Sequence, residues 1–311
     1  MSFPDSADHL PAHPGTEWLA AMESVADEDG YLDPLGPNHW AFFAETGTTL
    51  LVTFERAEQI EANDGNMPGA WDLAKRNGWS LLCLIARGET FWRAPEVWGY
   101  FDRLVDDAFF DDFDQVLFYG SGPAGYAAAS YVVAAPGARA LLLAPRATLA
   151  PAIAGWDRRH LAQRRLDFSS RYGYAPDMTE GADHVWLIHD PLSPGDNAHA
   201  ALFRRDWTTM LHTRWGGEQP ERSMPATVLD QVIQAAMAGT LTPAGFAALW
   251  RARRRSPAWV RSLLTAISVK GNRQRQIRVL RQVLSEQPIP RFERRLAALL
   301  AQDEPEGTAE D

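Results

Sequence analysis

The chain has 311 residues, 46% of them hydrophobic, and a formal net charge of −10. This suits a globular protein with one large domain or two modest ones. No apolar run reaches the roughly 18 residues a membrane-spanning helix needs, so none is expected. Met1 to Gly15, rich in Pro, His and Asp, lacks the basic start and apolar stretch of a secretory signal. The single cysteine, Cys83, lies in the apolar run Ser80–Ala86 and can form no intrachain disulfide. It reads as a core residue in a reducing, cytoplasmic setting.

In chain order, residues 1–15 read as a disordered N-terminus. Trp18, Leu19, Met22 and Val25 fall at helical spacing, which predicts a helix over Glu17–Asp27. Gly30–Asn38 is turn-rich, and Trp40–Phe43 with Thr49–Phe54 predicts a β-hairpin. Trp79–Ala86 reads as a strand buried on both faces. Pro95–Phe113 reads as a helix with an apolar stripe and an aspartate-rich face, which reads as solvated because its spacing fits no EF-hand. Asp114–Tyr119 is the next strand, followed by a glycine turn and an alanine-rich helix. Strands follow at Ala138–Ala144, His184–Asp190 and Thr208–Thr213, with a short helix at Ala198–Phe203. Strands alternating with helices predict a doubly wound, mostly parallel sheet. From Ala226 the pattern is helical to the end. Thr242-Pro243 and Ser256-Pro257 supply N-caps with proline in the first turn.

Charge is unevenly spread. Leu241–Leu300 holds twelve Arg and one Lys against Glu286 and Glu293. That is about +11, leaving about −21 for the remainder. The arginines are expected to pair with the acidic body, including the aspartate-rich helix, and otherwise to face water. Self-association through these helices is the partner expectation beside an unknown small molecule or protein. With no helix-turn-helix signature, nucleic acid is not favoured.

The stretch Gly120-Ser121-Gly122-Pro123-Ala124-Gly125 supports two readings. As G-x-G-x-x-G, Gly120, Gly122 and Gly125 resemble the dinucleotide fingerprint of flavoprotein disulfide reductases, which implies FAD or NAD(P). The following strand, Leu141-Leu-Leu-Ala-Pro-Arg146, carries no acid for a ribose, and no Cys-x-x-Cys exists for a redox relay.

As a nucleophile elbow, the same stretch resembles the α/β-hydrolase family over roughly Trp40–Gly217. It is closest to small bacterial members with an elbow of the type Gly-x-Ser-Met-Gly-Gly-Tyr, matched here by Gly120–Tyr126. Ala144-Pro145, Trp156-Asp157-Arg158-Arg159 and Asp190-Pro191 also look like that group. The resemblance implies an α/β-hydrolase-like domain over 16–224, followed by a basic helical region over 225–302 and an acidic tail over 303–311. It places Gly122 at the nucleophile position, where there is no hydroxyl. Ser121, one residue early, is a candidate shifted nucleophile, or else a turn serine bonding its own backbone. Asp196 falls at the acid position, with Asp190 as runner-up; its plainer role is a cap for Ala198–Phe203. The loop Trp215–Met224, where the base is due, has no His. His189 and His199 flank the acid loop, and His199 is the candidate base. What survives is a turn with N–H groups at a helix N-terminus, able to hold an anion or a carbonyl.

The sequence reading is therefore an α/β-hydrolase-like protein with a degenerate triad, serving binding, scaffolding or non-serine chemistry, and needing no cofactor. A weak hydrolase acting through Ser121 and a flavin or nicotinamide oxidoreductase are the alternatives. No metal is expected: only His9 and His13 have helical ligand spacing, and they lie in the terminus. Similar chains are sometimes labelled phosphoadenosine phosphosulfate reductase. That activity needs a redox cysteine in a Glu-Cys-Gly type motif, which Cys83 does not provide.

Overall fold

A computed structural model describes residues 17–301. The expectations for 1–15 and 303–311, with His9 and His13, lie outside the described residues. The chain begins with α1 (Glu17–Asp29), β1 (Gly30–Pro34), β2 (His39–Ala44) and β3 (Thr49–Arg56). Two short helices, α2 (Ala57–Ile60) and α3 (Trp71–Asn77), lead to β4 (Ser80–Ala86) and α4 (Pro95–Asp106). Then come β5 (Gln115–Ser121), α5 (Pro123–Tyr131), β6 (Arg139–Leu143), α6 (Pro151–Ala154) and α7 (Ala175–Met178). The sheet is completed by β7 (His184–His189), α8 (Pro194–Leu202) and β8 (Thr208–His212). Five helices close the chain: α9 (Ala226–Met237), α10 (Pro243–Trp250), α11 (Pro257–Val269), α12 (Arg273–Glu286) and α13 (Pro290–Ala301).

The strand order is β1-β2-β4-β3-β5-β6-β7-β8. β2 runs antiparallel to both of its neighbours, and every other pairing is parallel. With helices on both faces and a helical C-terminal region, this is the doubly wound, mostly parallel sheet that the alternation of strands and helices predicts.

The expected hairpin is different. β2 pairs with β1, inside the stretch read as turn, and β4 inserts between β2 and β3. The reason lies in the loop joining β2 to β3. The N–H groups of Thr46 and Gly47 donate to Ser80 Oγ at 2.9 and 3.1 Å, and that hydroxyl donates to Gly47 O at 2.7 Å. The loop thus straddles the first residue of β4, and one serine satisfies its polar backbone. The helix predicted over Pro95–Phe113 is also shorter. It ends at Asp106, after which Ala108, at φ +53°, turns the chain into a 3-10 segment at Phe109–Asp112.

Every residue of β4 is buried, as expected of a strand covered on both faces. On one face Phe54, Phe101 and Tyr131 stack, with Phe101 and Tyr131 centroids 4.2 Å apart. Cys83 lies in the core of the other face, where α9 and α10 pack through Val232, Met237, Phe246 and Trp250. α11, α12 and α13 share a separate small core of Val260, Leu264, Leu280 and Phe292.

The expected pairing of the C-terminal arginines with the aspartate-rich helix is not seen among the described residues, where most of these arginines face water as expected. Among the described residues no ion pair joins α11–α13 to α4, whose Asp102 instead meets Arg171. Among the same residues no helix is long and apolar enough to cross a membrane, and no group of three or more His, Cys, Asp or Glu side chains is placed to hold a metal ion.

Candidate functional site

β5 enters α5 through Gly122, at φ +59° and ψ −118°. That conformation is open to glycine and costs any other residue strain. Its N–H donates to Leu143 O at 2.8 Å, and its carbonyl accepts from Tyr126 N at 3.1 Å. A Cβ here would meet nothing within 4 Å. Gly120 is the opposite case: a Cβ would lie 2.2 Å from Ala124 O. At Gly125 it would lie 3.1 Å from Gly120 O and 3.2 Å from Pro145 Cβ. Gly120 and Gly125 therefore let strand, helix and following loop pack closely, and Gly122 makes the turn.

Pro123 is the first helical residue. Its fixed φ suits that place, but it has no N–H. The exposed N–H groups expected at the turn thus begin at Ala124, one residue later than a non-proline chain would offer.

A cleft of about 1090 Å³ opens over this turn. Its walls are Gly88–Trp92 after β4, Ser121–Ala124, Arg146, Arg159 and His160, the loop Gly216–Ser223 after β8, and one side of α11. The β4 loop is pinned from behind. Trp92 Nε1 donates to Leu84 O at 2.8 Å, and Tyr131 Oη donates to Trp92 O at 2.6 Å. Phe91 and Trp92 both hold positive φ, near +52° and +53°.

Ser121 lines the cleft but does not bond its own backbone. Its hydroxyl donates to Glu221 Oε2 at 2.8 Å. Glu221 belongs to the loop in which a base was sought and no histidine found. Burial raises its pKa, against the Ser121 hydrogen bond that lowers it.

Asp196 and His199 come together, but in a buried network beside the cleft. α8 starts at Pro194 with Ser193 as its N-cap residue, so Asp196 sits inside the first turn and is not the cap. Its Oδ1 accepts from Arg159 Nη1 at 2.6 Å and Arg146 Nη1 at 3.1 Å. His199 is fully buried. Its Nδ1 accepts the Ala147 N–H at 3.2 Å, so the ring proton is on Nε2, which donates to Asp157 Oδ2 at 2.9 Å. Both ring nitrogens are used, and His199 cannot reach the turn as a base in this arrangement. Asp157 also receives Arg159 through Nε and Nη2. Burial opposes its charge, but the hydrogen bonds from His199 and Arg159 outweigh that and hold its pKa far below the usual carboxylate range. Burial lowers the pKa of His199, so the network is two arginines, two carboxylates and a neutral imidazole.

Asp190 closes β7 and caps loops. Oδ1 accepts from Leu192 N at 2.9 Å and Oδ2 from Gly217 N at 3.0 Å. His189 packs its ring on His212, with centroids 5.1 Å apart. Sequence reasoning missed Glu221, Arg146, Asp157 and Arg159 as members of the site. In the sequence Arg146 marks only the absence of an acid after β6, and Asp157 and Arg159 only parts of a family-like turn.

No protein-family model matches the chain, and no curated protein matches it. Among solved structures, it is similar to an esterase domain from a Rhodothermus marinus protein, at 14% identity and a TM-score of 0.38. That match covers 69% of this chain and 92% of the other. The acetyl ester-xyloside bifunctional hydrolase of Caldicellulosiruptor lactoaceticus matches at 12% identity and a TM-score of 0.44, over 69% and 98% of the two chains. Carboxyl esterase 2 of Tuber melanosporum matches at 11% and 0.42, over 68% and 84%. The functional reading rests on the geometry of this chain alone.

Proposed function

We propose that this chain binds a ligand in the cleft over the β5–α5 turn and does not carry out Ser-His-Asp acyl transfer. The observation that carries the reading is Gly122 followed by Pro123. In an α/β-hydrolase-like sheet the nucleophile stands on the strained turn between the elbow strand and its helix, and the next N–H stabilises the oxyanion. Gly122 holds the strained turn without a hydroxyl, and Pro123 lacks the N–H. The acid and base positions point the same way. Asp196, at the acid position, is tied to Arg146 and Arg159, and the runner-up Asp190 accepts the Gly217 N–H, within the loop where a catalytic imidazole belongs. Nucleophile, oxyanion donor and base are then all missing from their places, while the cleft is kept.

A second reading has one specific observation in its favour. Ser121 Oγ lies 2.8 Å from Glu221, a carboxylate that could take its proton. A fluorophosphonate probe applied to the full-length chain separates the two. No labelling is expected. Labelling that disappears in Ser121→Ala would replace the binding reading with a serine hydrolase of shifted register.

The dinucleotide reading has less support. Gly120 and Gly125 are engaged in packing β5 against α5 and Pro145. β6 ends in Leu143 and leads to Arg146, whose guanidinium is tied to Asp196. A ribose-binding carboxylate has no place there.

A further inference from the structure

We infer that the cleft takes a small organic phosphate, its phosphoryl group held by Arg146, Arg222 and Arg261 beside the first turn of α5. The inference rests on reading the cleft as a binding site, and follows from its charges taken one by one. Glu89 faces Arg56 at 4.0 Å and His160 at 3.4 Å. Glu218 faces Arg159 at 3.4 Å. Glu221 accepts from Ser121; burial raises its pKa, and that bond and the Arg222 charge lower it. Each acid of the cleft wall therefore has a hydrogen-bond or ion-pair partner.

Two guanidiniums are left over, and a third keeps a donor unused. Arg222 and Arg261 line the cleft, and among the described residues neither has an ion pair. Arg146 also lines it, although its side chain is only 5% exposed. Its hydrogen bonds, to Ala144 O and Asp196 Oδ1, both leave from Nη1. Nε is buried with no hydrogen-bond partner. Asp157 Oδ2 lies 3.9 Å from it, but that oxygen already receives His199 and Arg159. A buried guanidinium with unused donors is costly unless an acceptor arrives.

The remaining donors suit the same ligand. The N–H of Ala124, which lines the cleft, belongs to the first turn of α5, where no intrahelical acceptor exists. Three guanidiniums and a helix N-terminus suit a dianionic tetrahedral group better than a single carboxylate. The cleft is far larger than a bare anion needs, and Pro123, Ala124, Ala258 and Ala266 give it an apolar side for an organic body.

Isothermal titration of the full-length chain with phenyl phosphate tests this, with inorganic phosphate, benzoate and benzyl alcohol as comparison probes. Phenyl phosphate is expected to bind more tightly than each of the other three. Affinity is expected to fall about tenfold in Arg146→Met and about tenfold again in the double variant Arg222→Gln/Arg261→Gln. The double variant is at exposed positions, so it decides the matter even if Arg146→Met fails to fold. Benzyl alcohol or benzoate binding as tightly as phenyl phosphate would overturn the assignment, as would unchanged affinity in the double variant. Inorganic phosphate binding as tightly would remove the organic body from it. Absent binding together with absent fluorophosphonate labelling sinks the phosphate assignment alone, whereas labelling sinks the reading on which it rests.

Discussion

Three glycines within six residues of the β5–α5 turn have different reasons to be glycine, and substitution should tell them apart. Gly122 needs its positive φ but has open space around it. Gly122→Ser is therefore expected to fold, at a cost of about 1–3 kcal/mol for a side chain at this positive φ. It should also stay unlabelled by a fluorophosphonate, because there is neither a base nor, with proline at 123, an N–H to support the new hydroxyl. Gly120→Ala instead drives a methyl to 2.2 Å from a helix carbonyl. A loss of about 3 kcal/mol or more is expected, enough to be seen as a large drop in the urea midpoint. If Gly120→Ala proved the milder of the two, the packing account of these glycines would be wrong. His39 makes a separate single-residue prediction. Burial lowers its pKa to about 4, and its Nε2 lies 2.8 Å from Thr90 Oγ1. Its unfolded value is near 6.5, so the unfolded chain takes up the proton first as pH falls. Stability from this group is fully present above about pH 6.5 and is lost towards pH 4. His39→Gln should flatten that part of the stability profile in chemical denaturation.

Between elements, the buried network ties the loop after β6, the turn at Asp157–Arg159 and α8 into one unit. Its carboxylate Asp157 is held charged, with its pKa well below the ordinary value. The sign follows directly: stability from Asp157 is present above its unfolded value near 3.9 and is lost as pH falls further. Asp196→Asn would leave Arg146 and Arg159 short of a counter-charge, and a loss of about 3–5 kcal/mol is expected by thermal or urea unfolding. A loss below about 1 kcal/mol would mean that water already screens the network. This unit was poorly legible in the sequence for a physical reason. Asp196 meets partners 37 and 50 residues away, and no local period encodes such a contact. The β5–Gly122–α5 turn was legible because its signal is short-range: an apolar run, glycines, then a proline opening a helix. The place of β4 was hidden because it depends on Ser80 meeting a loop more than thirty residues earlier. Pro123 was in plain view, but its missing N–H gained meaning only once the helix was seen to start there.

Across the whole molecule, the helical region after residue 225 divides by what it packs on. α9 and α10 complete the core on one face of the sheet, whereas α11–α13 rest on a small core of their own. Both parts read simply as helical in the sequence, and no local signal says what each packs on. Amide exchange is expected to be faster in α11–α13 than in β5, β6 and β7, because fewer buried side chains resist opening. Equal protection across all of these would mean the two parts unfold together. Since α11 forms one wall of the cleft, a ligand there should slow exchange in α11 specifically. The pairing of Pro123 with Gly122 also bears on the history open to such a chain. On the proposed reading, regaining acyl transfer would take a hydroxyl at 122, an N–H at 123 and an imidazole in 215–224. Any one of these alone adds nothing that selection for turnover could detect. With no stepwise return, residues around the turn are released to follow the shape and charge of whatever the cleft holds.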